Sequence, residues 1–147
     1  MGIIRKMTAE DIDGVLKIER ACFTAEAWPR GDFEALAGEE SGVTASLVYI
    51  ADGEVGGYIS GSCICGELEI YSVAVDPSLR RKGVAGALIC ELERLEKPAA
   101  AFLEVRESNF AARSLYTSLG FWEFGRRAGY YSRPDEDAIT MKKEYKD

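Results

Sequence analysis

The sequence of 147 residues is long enough for one domain and too short for two domains of ordinary size. Hydrophobic residues make up 47% of it and charged residues 29%, without long blocks of charge, so we expect a hydrophobic core rather than a disordered chain. The net charge of -7 makes the protein as a whole a poor non-specific partner for nucleic acid or anionic membranes. One domain over residues 1–147 is therefore predicted.

The N-terminal part is predicted to form a strand and two helices. Residues 3–7 read as a short strand, and Thr8 starts a helix, because T-A-E-D provides a cap and places acidic residues at the positive end of the helix dipole. An apolar stripe continues this helix through residues 12–22. Pro29 suits the first turn of a second, shorter helix over residues 29–36.

Three strands separated by tight turns are predicted next. Asp52-Gly53 is a strong hairpin signal, Gly66 turns the chain again, and Asp76-Pro77 ends the last strand. The predicted strands cover residues 46–51, 54–65 and 69–75.

The C-terminal half alternates helices and strands. Pro98 stops the first helix, and Gly120 fits the C-terminal cap of the second. The predicted elements are helices over residues 84–96 and 109–119, and strands over residues 101–106, 121–127 and 138–145. The order β-α-α-β-β-β-α-β-α-β-β predicts a mixed α/β fold with one central sheet and helices on both faces.

Residue usage narrows both the location and the chemistry. No apolar run approaches the roughly 18 residues of a membrane span, and the N-terminus lacks the apolar stretch of a signal peptide, so we expect a cytoplasmic protein without a membrane partner. The sequence has no histidine, which excludes Ser-His-Asp and Cys-His catalysis. Cys63 and Cys65 would share one strand face but are too few for a zinc site, so no metal is expected.

The most informative segment is the basic turn and glycine-rich helix start over residues 75–86. The first N–H groups of a helix have no internal partner and lie at the positive end of its dipole, which favours an anion. Small residues there would let a phosphate approach the backbone closely. A solvated glycine-rich connection is the alternative. Neither the P-loop pattern nor the Rossmann pattern is present.

Three motifs carry a resemblance to the GCN5-related N-acetyltransferase (GNAT) superfamily. Arg80, Gly83 and Ala85 fill [RQ]-x-x-G-x-[GA], and V-x-P precedes them at Val75. Downstream, N-x-x-A-x-x-L-Y-x-x-L-G-F begins at Asn109. The resemblance covers nearly the whole chain and implies a mostly antiparallel sheet and acetyl-CoA as co-substrate. It implies cofactor contacts from Val73, Ala74, Val75, Arg80, Arg81, Lys82, Gly83, Val84, Ala85, Gly86 and Asn109.

Within the superfamily, the sequence is most similar to the RimI-type ribosomal-protein-alanine N-acetyltransferases. It shares their Cys22-Phe23, L-E-V-R over residues 103–106, and E-D-A over residues 136–138. It departs from them in the Arg-Arg-Ala-Gly spacing before Tyr130. This resemblance implies transfer to the N-terminal amine of a protein, most simply the N-terminal alanine of a small-subunit ribosomal protein. The acidic chain suits such a basic partner.

The candidate catalytic residues are Glu104 and Tyr116. Glu104 interrupts an apolar strand, where partial burial would make it a better base, although a solvated strand face is the alternative. Tyr116 lies almost two helical turns after Asn109 and is either an acid or a core aromatic residue. The resemblance implies that Glu104 is the base and that Tyr116 protonates the leaving thiolate.

The acceptor site is less specified. Trp28, Tyr130 and Tyr131 are candidates for the walls of a peptide slot, with ordinary packing as the alternative. Two other functions stay open. One is acetylation of a small-molecule amine or a lysine, and the other is a non-catalytic acyl-CoA-binding module. The sequence does not indicate an oligomeric state.

Overall fold

The computed structural model describes residues 2–22, 44–131 and 135–145, which form seven β-strands and three α-helices. The strands are β1 (Ile3–Lys6), β2 (Thr44–Ala51), β3 (Glu54–Ile64), β4 (Glu67–Val75), β5 (Ala100–Arg106), β6 (Trp122–Tyr131) and β7 (Glu136–Glu144). The helices are α1 (Ile12–Cys22), α2 (Val84–Glu96) and α3 (Phe110–Ser118). Among these described helices, none combines the length and the apolar character needed to cross a membrane.

The described strands form one sheet in the order β1-β2-β3-β4-β5-β7-β6. Neighbouring strands are antiparallel except for β4 and β5, which run parallel. Strand β7 is inserted between β5 and β6 and pairs with the whole of β5, from Ala100 opposite Glu144 to Arg106 opposite Ala138. The predicted central, mostly antiparallel sheet is confirmed.

Successive residues of the central strands enter two separate cores. Leu47 and Ile59 belong to the core that includes the apolar residues of α2, whereas Val48 and Tyr58 belong to the core that includes those of α1. Because side chains alternate between the faces of a sheet, a strand covered on both faces is buried throughout. Strand β3 accordingly has an unbroken buried run over residues 56–62. The prediction of helices on both faces is confirmed.

The first helix begins later than predicted. Residues Ala9–Asp11 form a 3-10 turn, and α1 begins at Ile12. Asp11 is 5% exposed, accepts a hydrogen bond from the Thr8 N–H at 2.8 Å, and accepts two more from the Arg5 guanidinium, each at 2.8 Å. Burial opposes ionisation of Asp11, but these hydrogen bonds outweigh it and hold the pKa of the carboxyl below its usual value. The carboxylate therefore connects β1 to the start of the helical region.

Two strand predictions need correction. Strand β3 ends at Ile64, and Cys65 has a positive φ of 52° in the turn before β4, so Cys63 and Cys65 do not share a strand face. Strand β6 continues to Tyr131, past the predicted end at residue 127, because two register shifts and the left-handed Gly129 (φ 61°) keep the irregular strand paired with β7. The helix predicted over residues 29–36 lies outside the described residues.

The sheet contains a fork between β4 and β5. These strands pair at three positions only, with Glu67, Leu68 and Glu69 opposite Ala100, Ala101 and Phe102. Beyond these pairs the strands diverge, and β4 keeps β3 as its partner while β5 keeps β7. The inner edges of both strands therefore carry backbone N–H and C=O groups without a strand partner among the described residues.

Candidate active site

A cleft of about 1410 Å³ opens at the fork. Strand β4 lines one wall with residues 69–73, and β5 lines the other with residues 102–106. The volume exceeds that of an ordinary small-molecule pocket, so the cleft has room for an elongated co-substrate and part of an acceptor. Six of the site residues predicted from the sequence line this cleft: Val73, Glu104, Asn109, Tyr116, Tyr130 and Tyr131.

Glu104 is directed into this cleft from the middle of β5. Its neighbours Leu103 and Val105 are buried in the opposite core, and alternation places the glutamate on the other face of the strand. The Glu104 side chain is 26% exposed, and its Oε2 atom lies 2.8 Å from Arg127 Nε. Oε2 itself is buried against Arg127 and receives no hydrogen bond of good geometry from the described residues, so this contact is an ion pair. A carboxylate held in this way can accept a proton from a group in the cleft.

Tyr116 is packed in the core and also reaches the cleft. Its ring is 8% exposed and contacts the edge of Phe121, with ring centroids 6.0 Å apart. The residue also lines the cleft. Burial raises the pKa of Tyr116 to about 12, because the charged phenolate would lose its hydration. The hydroxyl therefore keeps its proton at neutral pH and can donate it.

An aromatic wall closes the cleft at the end of β6. The rings of Tyr130 and Tyr131 lie 5.0 Å apart and almost perpendicular, at 85°. Arg127 lies over the Tyr130 ring at 5.5 Å, and Arg106 lies over the Tyr131 ring at 4.5 Å. Burial raises the pKa of Tyr130, and the negative charge of Glu104 adds to this effect. The third predicted wall residue, Trp28, lies outside the described residues.

The last residues of β4, 73–75, offer mainly their backbone to the fork. Val73 lines the cleft, whereas Ala74 and Val75 are 6% and 8% exposed and belong to the two cores. What this segment presents toward the fork is its unpaired backbone edge. Such an edge can pair with the amide groups of an extended ligand and can donate an N–H to a developing oxyanion.

The predicted phosphate loop lies where β4 ends, outside the lining of the cleft. Gly83 has a φ of 78°, and no atom of the described residues lies within 4 Å of a Cβ built on it, so the backbone conformation favours glycine here. The Ala87 N–H bonds to the Gly83 carbonyl at 3.0 Å, which leaves the N–H groups of residues 84–86 without a partner inside the helix. Together with exposed basic residues 80–82, these groups form a surface suited to an anion.

Asn109 caps α3 at the edge of the cleft. Its Oδ1 atom accepts a hydrogen bond from the Ala112 N–H at 3.2 Å. This bond fixes the side chain and leaves the amide NH₂ group, a double donor, for a ligand in the cleft.

The sequence profile of the acetyltransferase (GNAT) family matches residues 12–121. This protein is a member of that family.

Similar proteins agree with the GNAT assignment. The [ribosomal protein bS18]-alanine N-acetyltransferase of Escherichia coli is 34% identical over 146 residues, which cover 96% of each chain. The crystal structure of the Escherichia coli ribosomal-protein-S18-alanine N-acetyltransferase superposes with a TM-score of 0.86 at 31% identity and covers 98% of this chain and 94% of that one. Arabidopsis thaliana NAA60 in complex with acetyl-CoA has the same fold, with a TM-score of 0.87, 18% identity and 98% coverage of both chains.

The length of the relatives differs. An uncharacterized protein of Mycobacterium leprae, ML0378, is 32% identical over 97% of this chain, but the match spans only 40% of that protein.

The GNAT cleft contains residues that sequence reasoning missed as site residues. Arg127 pairs with Glu104, and Glu136 binds both Arg106, at 3.2 Å, and the Ser108 N–H. Arg106 and Glu136 belong to the motifs that carry the RimI-type resemblance, but these contacts join different strands and loops, so no local pattern predicts the pairing. Glu19 also lines the cleft and was missed, although the sequence carries a signal for it: a charged residue occupies a position of the apolar stripe of α1.

Proposed function

We propose that this protein is an acetyl-CoA-dependent N-acetyltransferase that acts on the N-terminal amine of a protein. The acceptor is a ribosomal protein whose first residue is alanine. The main support for this proposal is that Glu104, Tyr116 and the unpaired edge of β4 lie in one cleft. The similarity to the Escherichia coli enzyme over 96% of both chains supports the choice of acceptor.

Acetyl-CoA fits two surfaces of the described residues. The N–H groups of residues 84–86 and the basic turn suit its pyrophosphate, and the edge of β4 at residues 73–75 suits the amides of its pantetheine arm. The amide of Asn109 supplies a further donor near the fork. When bound there, the co-substrate supplies an acetyl thioester that is activated for attack by an amine.

Glu104 and Tyr116 divide the proton transfers. A protein α-amine has a pKa near 8, against about 10.4 for lysine, so about a tenth of the α-amine is already neutral at pH 7. Glu104 takes the remaining proton, directly or through water, and Tyr116 gives its proton to the departing thiolate. The N–H groups on the open edge of β4 stabilise the negative oxygen of the tetrahedral intermediate.

The charge of the cleft favours a basic acceptor. Glu67 and Glu69 line the cleft around the fork in addition to the ion pairs of Glu104 with Arg127 and of Glu136 with Arg106, and the chain carries a net charge of -7. Tyr130 and Tyr131 provide a wall for the first residues of a peptide. A ribosomal acceptor places the reaction in the cytoplasm, and neither nucleic acid nor membrane is part of it.

The acceptor is tested with two peptides of one sequence. The first has a free N-terminal alanine, and the second is blocked at that end and carries a lysine. We expect faster acetylation of the first peptide by the wild-type enzyme and a large loss of rate in Glu104→Gln. Faster acetylation of the blocked peptide or of a small polyamine would contradict the proposal. Acetyl-CoA binding without turnover on any amine would favour a non-catalytic binding module.

A further inference from the structure

Glu19 is a buried carboxylate on the β4 side of the cleft. It is 1% exposed and lies in the last turns of α1, at a position that the apolar stripe would fill with a hydrophobic residue. It nevertheless lines the cleft. Burying a carboxylate is costly unless hydrogen bonds compensate for its lost hydration. The hydrogen bonds that Glu19 makes are therefore needed to offset the cost of its burial.

The hydrogen bonds of Glu19 lead to the wall of the cleft through Tyr58. Tyr58 is fully buried and donates its hydroxyl hydrogen to Glu19 Oε1. The Tyr58 oxygen lies 2.9 Å from Ser72 Oγ. Because a phenol has a single hydrogen and Tyr58 directs it to the carboxylate, Ser72 is the donor in the second bond. The chain of donors therefore runs from Ser72 to Tyr58 to Glu19.

This direction determines what Ser72 presents to the cleft. Its hydroxyl hydrogen is directed toward the protein, so its oxygen offers only lone pairs to a ligand. Ser72 lines the cleft on β4, next to Val73 and beyond the last β4–β5 pair at Glu69. It therefore lies on the wall opposite Glu104, which faces the cleft from β5.

We propose that Ser72 binds the acceptor amine by accepting one of its N–H groups, and that Tyr58 and Glu19 are positioning residues that keep the Ser72 oxygen an acceptor. The inference rests on the proposed function and names a further specificity residue for it. An N–H held by Ser72 fixes the orientation of the nitrogen, so that its lone pair faces the thioester carbon once Glu104 has removed a proton. Glu19 maintains this polarity because its Oε1 atom accepts the Tyr58 hydrogen.

The sheet supplies a matched control residue. Ser60 lies directly opposite Ser72 in the β3–β4 ladder and is fully buried. Its Oγ atom has no hydrogen-bond partner among the described residues. Replacing Ser60 by alanine removes a hydroxyl from the same row of the sheet without affecting the chain from Ser72 to Glu19, and removing an unpaired buried polar group costs no stability.

The experiment compares Ser72→Ala, Tyr58→Phe and Ser60→Ala with the wild-type enzyme. The readouts are steady-state kinetics with a peptide that begins with alanine, at saturating acetyl-CoA, and the acetyl-CoA Kd from calorimetry. We expect Ser72→Ala to lower kcat/KM for the peptide roughly fivefold to tenfold, the effect of one lost hydrogen bond, with the acetyl-CoA Kd within about twofold of wild type. Ser72→Thr, which keeps the hydroxyl, should restore most of the loss.

Tyr58→Phe should also lower kcat/KM for the peptide, because the Ser72 hydroxyl is then free to turn its hydrogen into the cleft. Ser60→Ala should match the wild-type enzyme. If Tyr58→Phe does not fold, as judged by circular dichroism, the Ser72 variants decide the question. Wild-type kinetics in Ser72→Ala, with an active wild-type enzyme, would overturn this inference alone. A wild-type enzyme that is inactive on the peptide would overturn the proposed function and this inference with it.

Discussion

Gly83 and Gly53 provide a matched pair of substitutions for testing the phosphate loop. Both have a φ of 78°, and in the part of the chain that the structure describes no atom lies within 4 Å of a Cβ built on either. An aspartate at either position therefore has the same backbone strain and no steric clash within the described residues. The strain of a left-handed non-glycine residue is about 1 kcal/mol, which corresponds to a fall in Tm of about 3 °C for a domain of this size. Gly53→Asp and Gly83→Asp should lower Tm by similar amounts.

Only Gly83→Asp should weaken acetyl-CoA binding. Gly83 directly precedes the unpaired N–H groups of residues 84–86, whereas Gly53 lies in the β2–β3 turn. A carboxylate about 6 Å from one phosphate charge, at an effective dielectric constant near 20, costs about 3 kcal/mol, or roughly a hundredfold in Kd. Isothermal titration calorimetry of both variants measures this difference directly. Equal acetyl-CoA affinity in the two variants would refute the assignment of the loop to the pyrophosphate.

Three further variants test the cleft and the core. Glu104→Gln should lower kcat by about a hundredfold to ten-thousandfold, with partial recovery at high pH as the amine deprotonates without help, and a pH–rate profile with an unchanged acidic limb would contradict this. Tyr116→Phe keeps the ring contact with Phe121 and should slow turnover by about a hundredfold or more, an effect relieved by a thioester with a less basic leaving group. Burial raises the pKa of Tyr116 to about 12, above the ordinary value near 10, so the stability that the buried neutral tyrosine contributes is complete below pH 10 and is lost as pH rises toward 12. Circular dichroism at alkaline pH should therefore show Tyr116→Phe to be more resistant to unfolding than wild type by about 3 kcal/mol. Asp11→Asn should lower the free energy of unfolding by about 1–3 kcal/mol at pH 7, and the difference should shrink as pH falls below the ordinary carboxyl pKa, because the folded-state pKa of Asp11 is lowered.

The elements that local sequence determines were predicted well. Helix α2 has the predicted bounds, because its apolar periodicity and Pro98 leave little choice. The cap at Gly120 is also confirmed, since its φ of 100° favours glycine and the next N–H, that of Phe121, bonds back to the Tyr116 carbonyl at 3.0 Å. The end of β6 was missed because its register shifts depend on pairing with β7.

The candidate site was predictable only in part. The motif residues Glu104, Asn109 and Tyr116 were found through the family resemblance, and they line one cleft. The fork itself has no sequence signal, because it arises where the parallel pairing of β4 and β5 stops. The chain from Ser72 through Tyr58 to Glu19 joins three elements that are far apart in sequence, so only the folded protein reveals it.

The late position of β7 has a consequence for how the enzyme is made. Strand β5 carries Glu104 and shares three residue pairs with β4 but seven with β7. In the chain, β7 (residues 136–144) comes after β5, α3 and β6. During synthesis on a ribosome, the residues of β5 emerge well before the strand that holds most of them in the sheet. The cleft wall that bears Glu104, the proposed base, can therefore reach its full pairing only after β7 has left the exit tunnel. A nascent chain stopped before that point would contain both the loop proposed for the pyrophosphate and Glu104, but β5 would lack the strand that makes most of its pairs.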